Sequence, residues 1–264
     1  MRFLFLFFIR NAVRSRRVVW MTVLGLVPVA IAVVRVLAAN LLGTNVDASG
    51  FFLRLTSSLY LHILLPLLSA LIGTGIVAEE VEDRTLPYLL SRPIPKRRIV
   101  VSKSLSACLI VCMIIFLSLV VSYTLLTAGG GIRSYLSNLG SLFHITAVLC
   151  LGSLVYVPFF GMLGAAIKRP VLVGLLFAFG WENIVANFPS KIRLFTVVYY
   201  LKELLPQTDT TTMGGGIGDI LDYFASGAAL SPVVAVAALS AMFVVFSGIT
   251  VSFLYLKEYR MEQG

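Results

Sequence analysis

The chain has 264 residues, of which 59% are hydrophobic and only 12% are charged, and its net charge is +9. A soluble domain carries about 25% charged residues, so this composition excludes soluble enzymes, collagens, disulfide scaffolds and disordered tails. With a mean hydropathy of +0.97, the chain is predicted to be an all-α protein of the lipid bilayer.

Six apolar stretches approach the length of roughly 20 residues that crosses a bilayer as a helix. They are residues 18–39, 59–78, 104–127, 141–167, 171–189 and 232–256. An even number places both termini on one side. With both termini in the cytoplasm, 15 of the 21 Lys and Arg residues lie inside, as the positive-inside rule requires. The basic excess is therefore assigned to topology and lipid headgroups, and no nucleic-acid partner is predicted.

Residues 1–17 combine a short aromatic and aliphatic run with the arginines Arg10, Arg14, Arg16 and Arg17. No small-residue cleavage site follows, which disfavours a secretory signal peptide. The pattern predicts an amphipathic helix that lies in the cytoplasmic membrane interface and leads into the first span.

The second span carries small residues at four-residue spacing, such as Ser69 with Gly73, and the fourth span carries Gly161 with Ala165. This spacing favours close packing against another helix. His62 is interpreted as a hydrogen-bonded interhelical residue, with a proton relay as the alternative.

Residues 79–103 form the largest cytoplasmic segment between spans, with acidic residues first, basic residues later and three prolines that interrupt helices. The outer segment 190–231 contains two amphipathic stretches, around 192–205 and 217–225, which we expect to lie on the outer interface as short helices.

The fifth span is the least apolar, because Glu182, Asn183 and Asn187 lie near its end. An intramembrane carboxylate is a functional-site hypothesis by default. Two roles for Glu182 remain open: a place in a transport pathway, or a structural role as interhelical glue or as a partner of Arg35.

Nucleotide hydrolysis is excluded for this chain, because its glycine clusters lack the Gly-Lys-Ser/Thr that would hold phosphates. The cysteines Cys108, Cys112 and Cys150 lie inside apolar runs and are interpreted as small packing residues, and neither a disulfide framework nor a metal site is predicted.

One enzyme alternative comes from Glu79-Glu80-x-x-x-Arg84, which resembles the first motif of CAAX-type intramembrane proteases. Those enzymes also need two histidine motifs on other helices. Neither His62 nor His144 stands in the required spacing, so the protease is the weakest reading.

The same segment, read as Glu-x-x-x-x-Arg-Thr-Leu-x-x-Leu-Leu-Ser-Arg-Pro-x-x-Lys/Arg with Lys103 opening the third span, resembles the cytoplasmic signature of type-2 ATP-binding-cassette (ABC) exporter permeases. The six-span count and the N-terminal helix agree with that family. The candidate residues for coupling to an ATPase are Glu79, Glu80, Thr85, Leu86, Tyr88, Leu89, Leu90, Arg92, Lys96, Arg97 and Arg98.

The resemblance implies a homodimer of permeases in the plasma or inner membrane, above two ABC ATPase subunits that carry ATP and magnesium, so that this chain holds no cofactor and is not itself an enzyme. An extracytoplasmic or accessory subunit is compatible with it. The candidate pathway or interface residues are His62, Ser69, Gly73, Glu182, Asn183 and Asn187. The alternatives are a membrane scaffold or regulatory protein and an ion-coupled secondary transporter. The substrate is not readable from the sequence.

Overall fold

The computed structural model describes residues 16–42, 48–76, 96–127, 135–136, 139–167, 169–182, 185, 196–206 and 231–261. Within these ranges every regular element is a helix, which confirms the all-helical class. The elements in chain order are α1 (Arg16–Gly25), α2 (Val27–Leu42), α3 (Ala48–Leu55), π1 (Thr56–Leu64), α4 (Leu65–Gly73), α5 (Lys96–Thr127), α6 (Leu139–Ala166), α7 (Pro170–Leu176), π2 (Phe177–Glu182), α8 (Val197–Leu204) and α9 (Pro232–Met261). The elements π1 and π2 are π-helical.

Five helices in the described ranges are long and apolar enough to cross a membrane. They are Val18–Leu42, Ser49–Gly73, Val100–Thr127, Leu139–Ala166 and Pro232–Phe253. The stretch predicted as a span over 171–189 contains a shorter apolar helix, Pro170–Glu182. At 1.5 Å per residue this helix is about 20 Å long, which is less than the roughly 30 Å of the hydrocarbon core. The six-span count and the cytoplasmic position of both termini therefore stay predictions.

Two spans begin earlier than the apolar runs suggest. The second helix starts at Ser49 rather than at 59, and it continues through Arg54 and the hydroxyl residues that follow. The third span is part of α5, which starts at Lys96 rather than at 104. The physical reason is that hydropathy marks the membrane boundary, whereas a helix continues into the interface, where charged side chains reach water.

Helices α5 and α6 form the centre of the bundle. Helix α5 packs against α1, α2, α3, α4, α6 and α9, and α6 packs against α4, α5, α7, α8 and α9. The apolar core of the bundle includes Tyr60, Ile115, Leu149 and Phe160, each 1% exposed or less.

The close packing predicted for small residues is found between α4 and α6. A Cβ atom added at Gly73 would lie 2.8 Å from the backbone oxygen of Val157, and one added at Gly164 would overlap the backbone oxygen of Thr74. A Cβ at Gly161 would lie 3.6 Å from the Gly73 oxygen. The two backbones therefore approach as closely as small residues allow.

The outer segment contains a short helix, as predicted, but its position differs from the expectation. Helix α8 contacts π1, α6 and α9, and five of its eight residues are buried (Val197, Val198, Tyr199, Tyr200 and Leu201). The hydrophobic face that suggested an interfacial helix is instead covered by protein. The second stretch, around 217–225, lies outside the described residues.

Candidate functional site

The most unusual polar group in the described bundle is the carboxylate of Glu182, the last residue of π2. Its side chain is 1% exposed. The Tyr156 hydroxyl of α6 donates a hydrogen bond to Oε1 at 2.6 Å, and the backbone N–H of Val198 in α8 donates to the same oxygen at 2.9 Å. The second oxygen, Oε2, is buried with no hydrogen-bond partner in the described part of the chain.

The Glu182 carboxylate acts as a cap for α8 supplied by another element. The residue before the helix, Thr196, has an extended backbone and its side chain makes no capping hydrogen bond. The first N–H groups of a helix have no partner within the helix, and negative charge is favourable at that end. The carboxylate of Glu182 meets both needs at Val198, and it thereby joins π2, α6 and α8.

These contacts bear on the two roles left open for Glu182. Its described partners are Tyr156 and Val198, whereas the guanidinium of Arg35 lies over the Phe51 ring, 5.6 Å from its centroid. The geometry supports interhelical glue, and it does so through α6 and α8 rather than through Arg35. A place for Glu182 in a transport pathway stays a prediction.

The pathway candidates on the second span lie inside the bundle. Ser69 is fully buried and its hydroxyl has no hydrogen-bond partner among the described residues, and Gly73 faces the α6 backbone. His62 lies in π1, and its Nδ1 is 2.6 Å from the backbone oxygen of Ser57. Because a carbonyl only accepts, Nδ1 carries the proton, and this bond is within one helix rather than between helices.

The remaining candidates lie largely outside the described residues. This holds for Asn183 and Asn187, for the interfacial helix up to residue 15, and for the coupling residues Glu79, Glu80, Thr85, Leu86, Tyr88, Leu89, Leu90 and Arg92. The backbone of Lys96, Arg97 and Arg98 forms the start of α5. Across the described ranges, no group of three or more His, Cys, Asp or Glu residues is arranged to hold a metal ion.

A second buried polar network was missed in the sequence. Ser118 of α5 donates to the backbone oxygen of Gly25 at 2.5 Å, and the Tyr60 hydroxyl lies 2.8 Å from Ser118 Oγ and 3.0 Å from Ser122 Oγ. Since the single Ser118 proton goes to Gly25, Tyr60 must donate to Ser118 and accept from Ser122. Ser118 and Ser122 lie one turn apart in an apolar helix, and this spacing was the feature of the sequence that could have indicated the network.

This network supplies a hydrogen-bond donor to the Gly25 backbone oxygen, at a break in the helix of the first span. Helix α1 ends at Gly25 and α2 begins at Val27, close to Pro28, which lacks the N–H that a continuous helix needs. Hydroxyl side chains of neighbouring helices satisfy the backbone groups freed by such breaks in membranes. The chain Ser122–Tyr60–Ser118–Gly25 therefore holds the first three spans together.

Comparison with known families identifies the chain. A family model described as "ABC-2 family transporter protein" matches residues 9–258, which is nearly the whole sequence, and no curated protein matches it. Members of this family are the transmembrane component of an ABC transporter and work with an ABC ATPase. The match agrees with the bundle of apolar helices and confirms the resemblance seen in residues 79–103. The chain therefore belongs to the ABC-2 transporter family and is a multi-pass membrane permease.

Proposed function

We propose that this permease works as a homodimer in the plasma or inner membrane, forms the translocation pathway of an exporter, and receives work from two ABC ATPase subunits through residues 79–103. The observation that carries the proposal is the family match over residues 9–258, together with the spacing of Glu, Thr-Leu, Leu-Leu, Pro and basic residues in that segment. ATP and magnesium are assigned to the partner subunit.

Helix α5 is suited to carry motion from the ATPase into the membrane. It runs without interruption from Lys96 to Thr127, a length of about 48 Å at 1.5 Å per residue. Its cytoplasmic end, from Lys96 to Lys103, is the last part of the coupling segment, and the helix packs against elements of the first, second, fourth and last spans. Because packed helices move as rigid bodies rather than deforming continuously, a displacement of Lys96 moves this whole interface.

The coupling segment itself offers two kinds of contact to an ATPase. Tyr88 is of a residue type that is enriched among the few residues that carry most interface energy, and Leu86 and Leu89 add apolar contact beside it. Arg92 and Arg97 supply positive charge that steers an acidic rim towards the permease. The acidic residues Glu79 and Glu80, with Thr85, precede the anchors at the membrane boundary.

Three pathway candidates of spans two and five are buried in the structure. Ser69, Gly73 and Glu182 are enclosed within one protomer, so they reach a pathway only if helices rearrange during transport. The outward face of the fifth span is apolar, since Leu176 is 74% and Trp181 is 48% exposed. We assign this face to contact with lipid or with the second protomer.

The test is co-purification of the full chain with its candidate ATPase, followed by reconstitution and measurement of ATP turnover. The variant combines Leu89→Asp with Arg97→Glu, which removes an anchor and reverses a charge. The matched control is Arg260→Glu, a charge reversal on the same predicted side of the membrane. The proposal expects the double variant to lose assembly or most ATP turnover, while the control behaves as wild type and both variants fold.

The second candidate function is a membrane scaffold or regulatory protein. It predicts that no ATPase co-purifies and that the double variant is indistinguishable from wild type. An ion-coupled secondary transporter predicts transport by the chain alone in vesicles with an ion gradient and no ATP.

A further inference from the structure

Two arginines of the membrane-spanning helices lie near each other at one edge of the bundle. The five long apolar helices of the described ranges contain three charged residues, Arg35, Arg54 and Lys103. Lys103 lies near the start of its helix, beside the predicted cytoplasmic segment. Arg35 lies in the last third of Val18–Leu42, and Arg54 lies in the first quarter of Ser49–Gly73. Both arginines are therefore close to the connection between the first two spans, on the predicted outer side.

The guanidinium of Arg35 lies at the point where these two helices meet. Its central carbon lies over the ring of Phe51, 5.6 Å from the ring centroid. The backbone of Arg35 is seven residues before Leu42, which is about 10 Å along the helix, whereas Phe51 is only two residues after the start of the second span. The guanidinium thus reaches the membrane boundary while its aliphatic stem stays within the apolar layer, as long cationic side chains do in membranes.

Arg54 directs a second guanidinium to the same place. It follows Phe51 by three residues in α3, and residues at this spacing are neighbours on a helix surface. Side chains in helices point back towards the N-terminus, so Arg54 extends towards the turn that contains Phe51. Arg54 is exposed, and so is Ser58, four residues further along. This surface of the second span therefore presents cationic and hydroxyl groups beside an aromatic ring.

The positive charge of this pair is not neutralised within the described part of the chain. No hydrogen bond or ion pair joins either guanidinium to another described residue, and the one contact of the Arg35 guanidinium is with the Phe51 ring. Charged side chains within membrane segments are costly and are normally paired, and like charges that lie close together repel each other. An anion bound between the two arginines removes both penalties. The guanidinium fork matches the oxygens of a phosphate group.

The surroundings of Arg35 indicate which kind of phosphate fits. Ile31 and Leu42 lie on the same side of α2 as Arg35, one turn before it and two turns after it. They are 37% and 74% exposed, respectively. Acyl chains cover such side chains in a membrane, and free phosphate does not. The ligand that satisfies both the arginines and this apolar surface is an amphiphile with an anionic phosphate headgroup.

We propose that Arg35, Phe51 and Arg54 form a binding site for the headgroup of an anionic phospholipid, which joins the first span to the second. The two guanidiniums bind the phosphate oxygens, and the Phe51 ring holds the Arg35 guanidinium through a cation–π contact. The acyl chains cover the exposed side of α2. The site requires no ATPase, so it is independent of the coupling proposed above.

The test is photo-crosslinking of the full-length chain in lipid nanodiscs. The probes are phosphatidylglycerol and phosphatidylcholine with identical acyl chains, each carrying a diazirine at the top of one chain. Peptide mapping after illumination locates the labelled residues. We expect phosphatidylglycerol to label residues 31–42 and 49–58 several-fold more than phosphatidylcholine does. Equal labelling of these segments by the two probes in the wild type would overturn the proposal, whether or not any variant folds.

Variants then assign the preference to the two arginines. One basic residue near an anionic surface is worth about a fivefold change in affinity, so Arg35→Gln and Arg54→Gln should each lower the preference for phosphatidylglycerol by about that factor. Arg35→Lys, which keeps the charge, should retain part of the preference. The matched control is Arg169→Gln, at an exposed arginine beside α7, which should leave the labelling of these segments unchanged. An unchanged preference in the double variant Arg35→Gln with Arg54→Gln would refute the site.

Two further arms separate the lipid from other anions. Soluble glycerol phosphate, added in excess, should not displace the labelling by phosphatidylglycerol, and full displacement would mean that the site takes free phosphate instead. Asp47 is the acidic residue nearest to both arginines in the sequence, and it lies outside the described residues. Asp47→Asn should leave the labelling unchanged. A several-fold rise would show that Asp47 occupies the arginines in the wild type, and it would overturn the proposal.

Discussion

Replacement of Glu182 by Ala tests whether the buried carboxylate is the cap that docks α8 on the bundle. The substitution leaves two donors without an acceptor, the Tyr156 hydroxyl and the Val198 backbone N–H. Both belong to buried residues. At about 1–2 kcal/mol for each stranded donor, Glu182→Ala is expected to lower the free energy of unfolding by about 2–4 kcal/mol.

Tyr156→Phe removes only one of the two hydrogen bonds and keeps the ring packed against Phe160. Hydrogen bonds between helices in membranes contribute about 0.6 kcal/mol on average and up to about 1.7, so we expect a loss of about 1 kcal/mol. Each single change removes the Glu182–Tyr156 hydrogen bond, so the double variant, Glu182→Ala with Tyr156→Phe, loses that bond only once. A double-mutant cycle should therefore show a coupling energy of about 1 kcal/mol.

The assay is reversible unfolding in mixed micelles. The control is Leu176→Ala, at a 74% exposed position of the helix Pro170–Glu182, which should change stability little. Docking of α8 is followed separately by maleimide labelling of a cysteine introduced at Tyr199, which is 7% exposed, in a background without native cysteines. Labelling should accelerate when Glu182 is Ala. Additive losses in the cycle, or equal labelling rates, would refute the capping role.

Three further predictions concern packing and topology. Gly164→Val should destabilise the bundle by about 3 kcal/mol, because the added side chain meets the Thr74 backbone. Gly248→Val, in open space, should be tolerated, and equal unfolding midpoints of the two variants would contradict this reasoning. Tyr60→Phe should cost about 1 kcal/mol through the lost bonds to the third span, as measured by unfolding, and no loss would argue against the network. Tags at the two termini should both be protected from added protease in sealed right-side-out vesicles. Protection of one tag alone would mean an odd number of membrane crossings.

The match between hydropathy and the described spans has a simple cause. The cost of placing polar groups in lipid is local, so the runs that begin at 18, 104, 141 and 232 each fall within a long helix of the structure. The small-residue spacing of Ser69 and Gly73 is equally local, and it correctly indicated a closely packed helix face. The family signature in residues 79–103 is also a short-range pattern, and it led to the correct family.

The partners of polar side chains were not accessible in this way. Glu182 and Val198 are sixteen residues apart in the sequence, and no periodicity links a carboxylate to the first turn of a later helix. The amphipathic stretch around α8 showed that one face of the helix is apolar. An apolar face of this kind is covered either by lipid or by protein, and its composition is the same in both cases. Only the packing of α8 against π1, α6 and α9 decided between them.

The sequence by itself determined that this protein lies in a lipid bilayer, that its fold is all-helical and that it belongs to the ABC-2 transporter family. Each of these follows from composition and from short-range patterns in the chain. The tertiary structure alone decided which helices are neighbours, and with that the capping of α8 by Glu182, the hydroxyl chain that ends at Gly25, and the contact of Cys112 with Ser153. These contacts join residues of different helices, and side-chain packing between helices, rather than the preference of any one segment for lipid, sets their geometry.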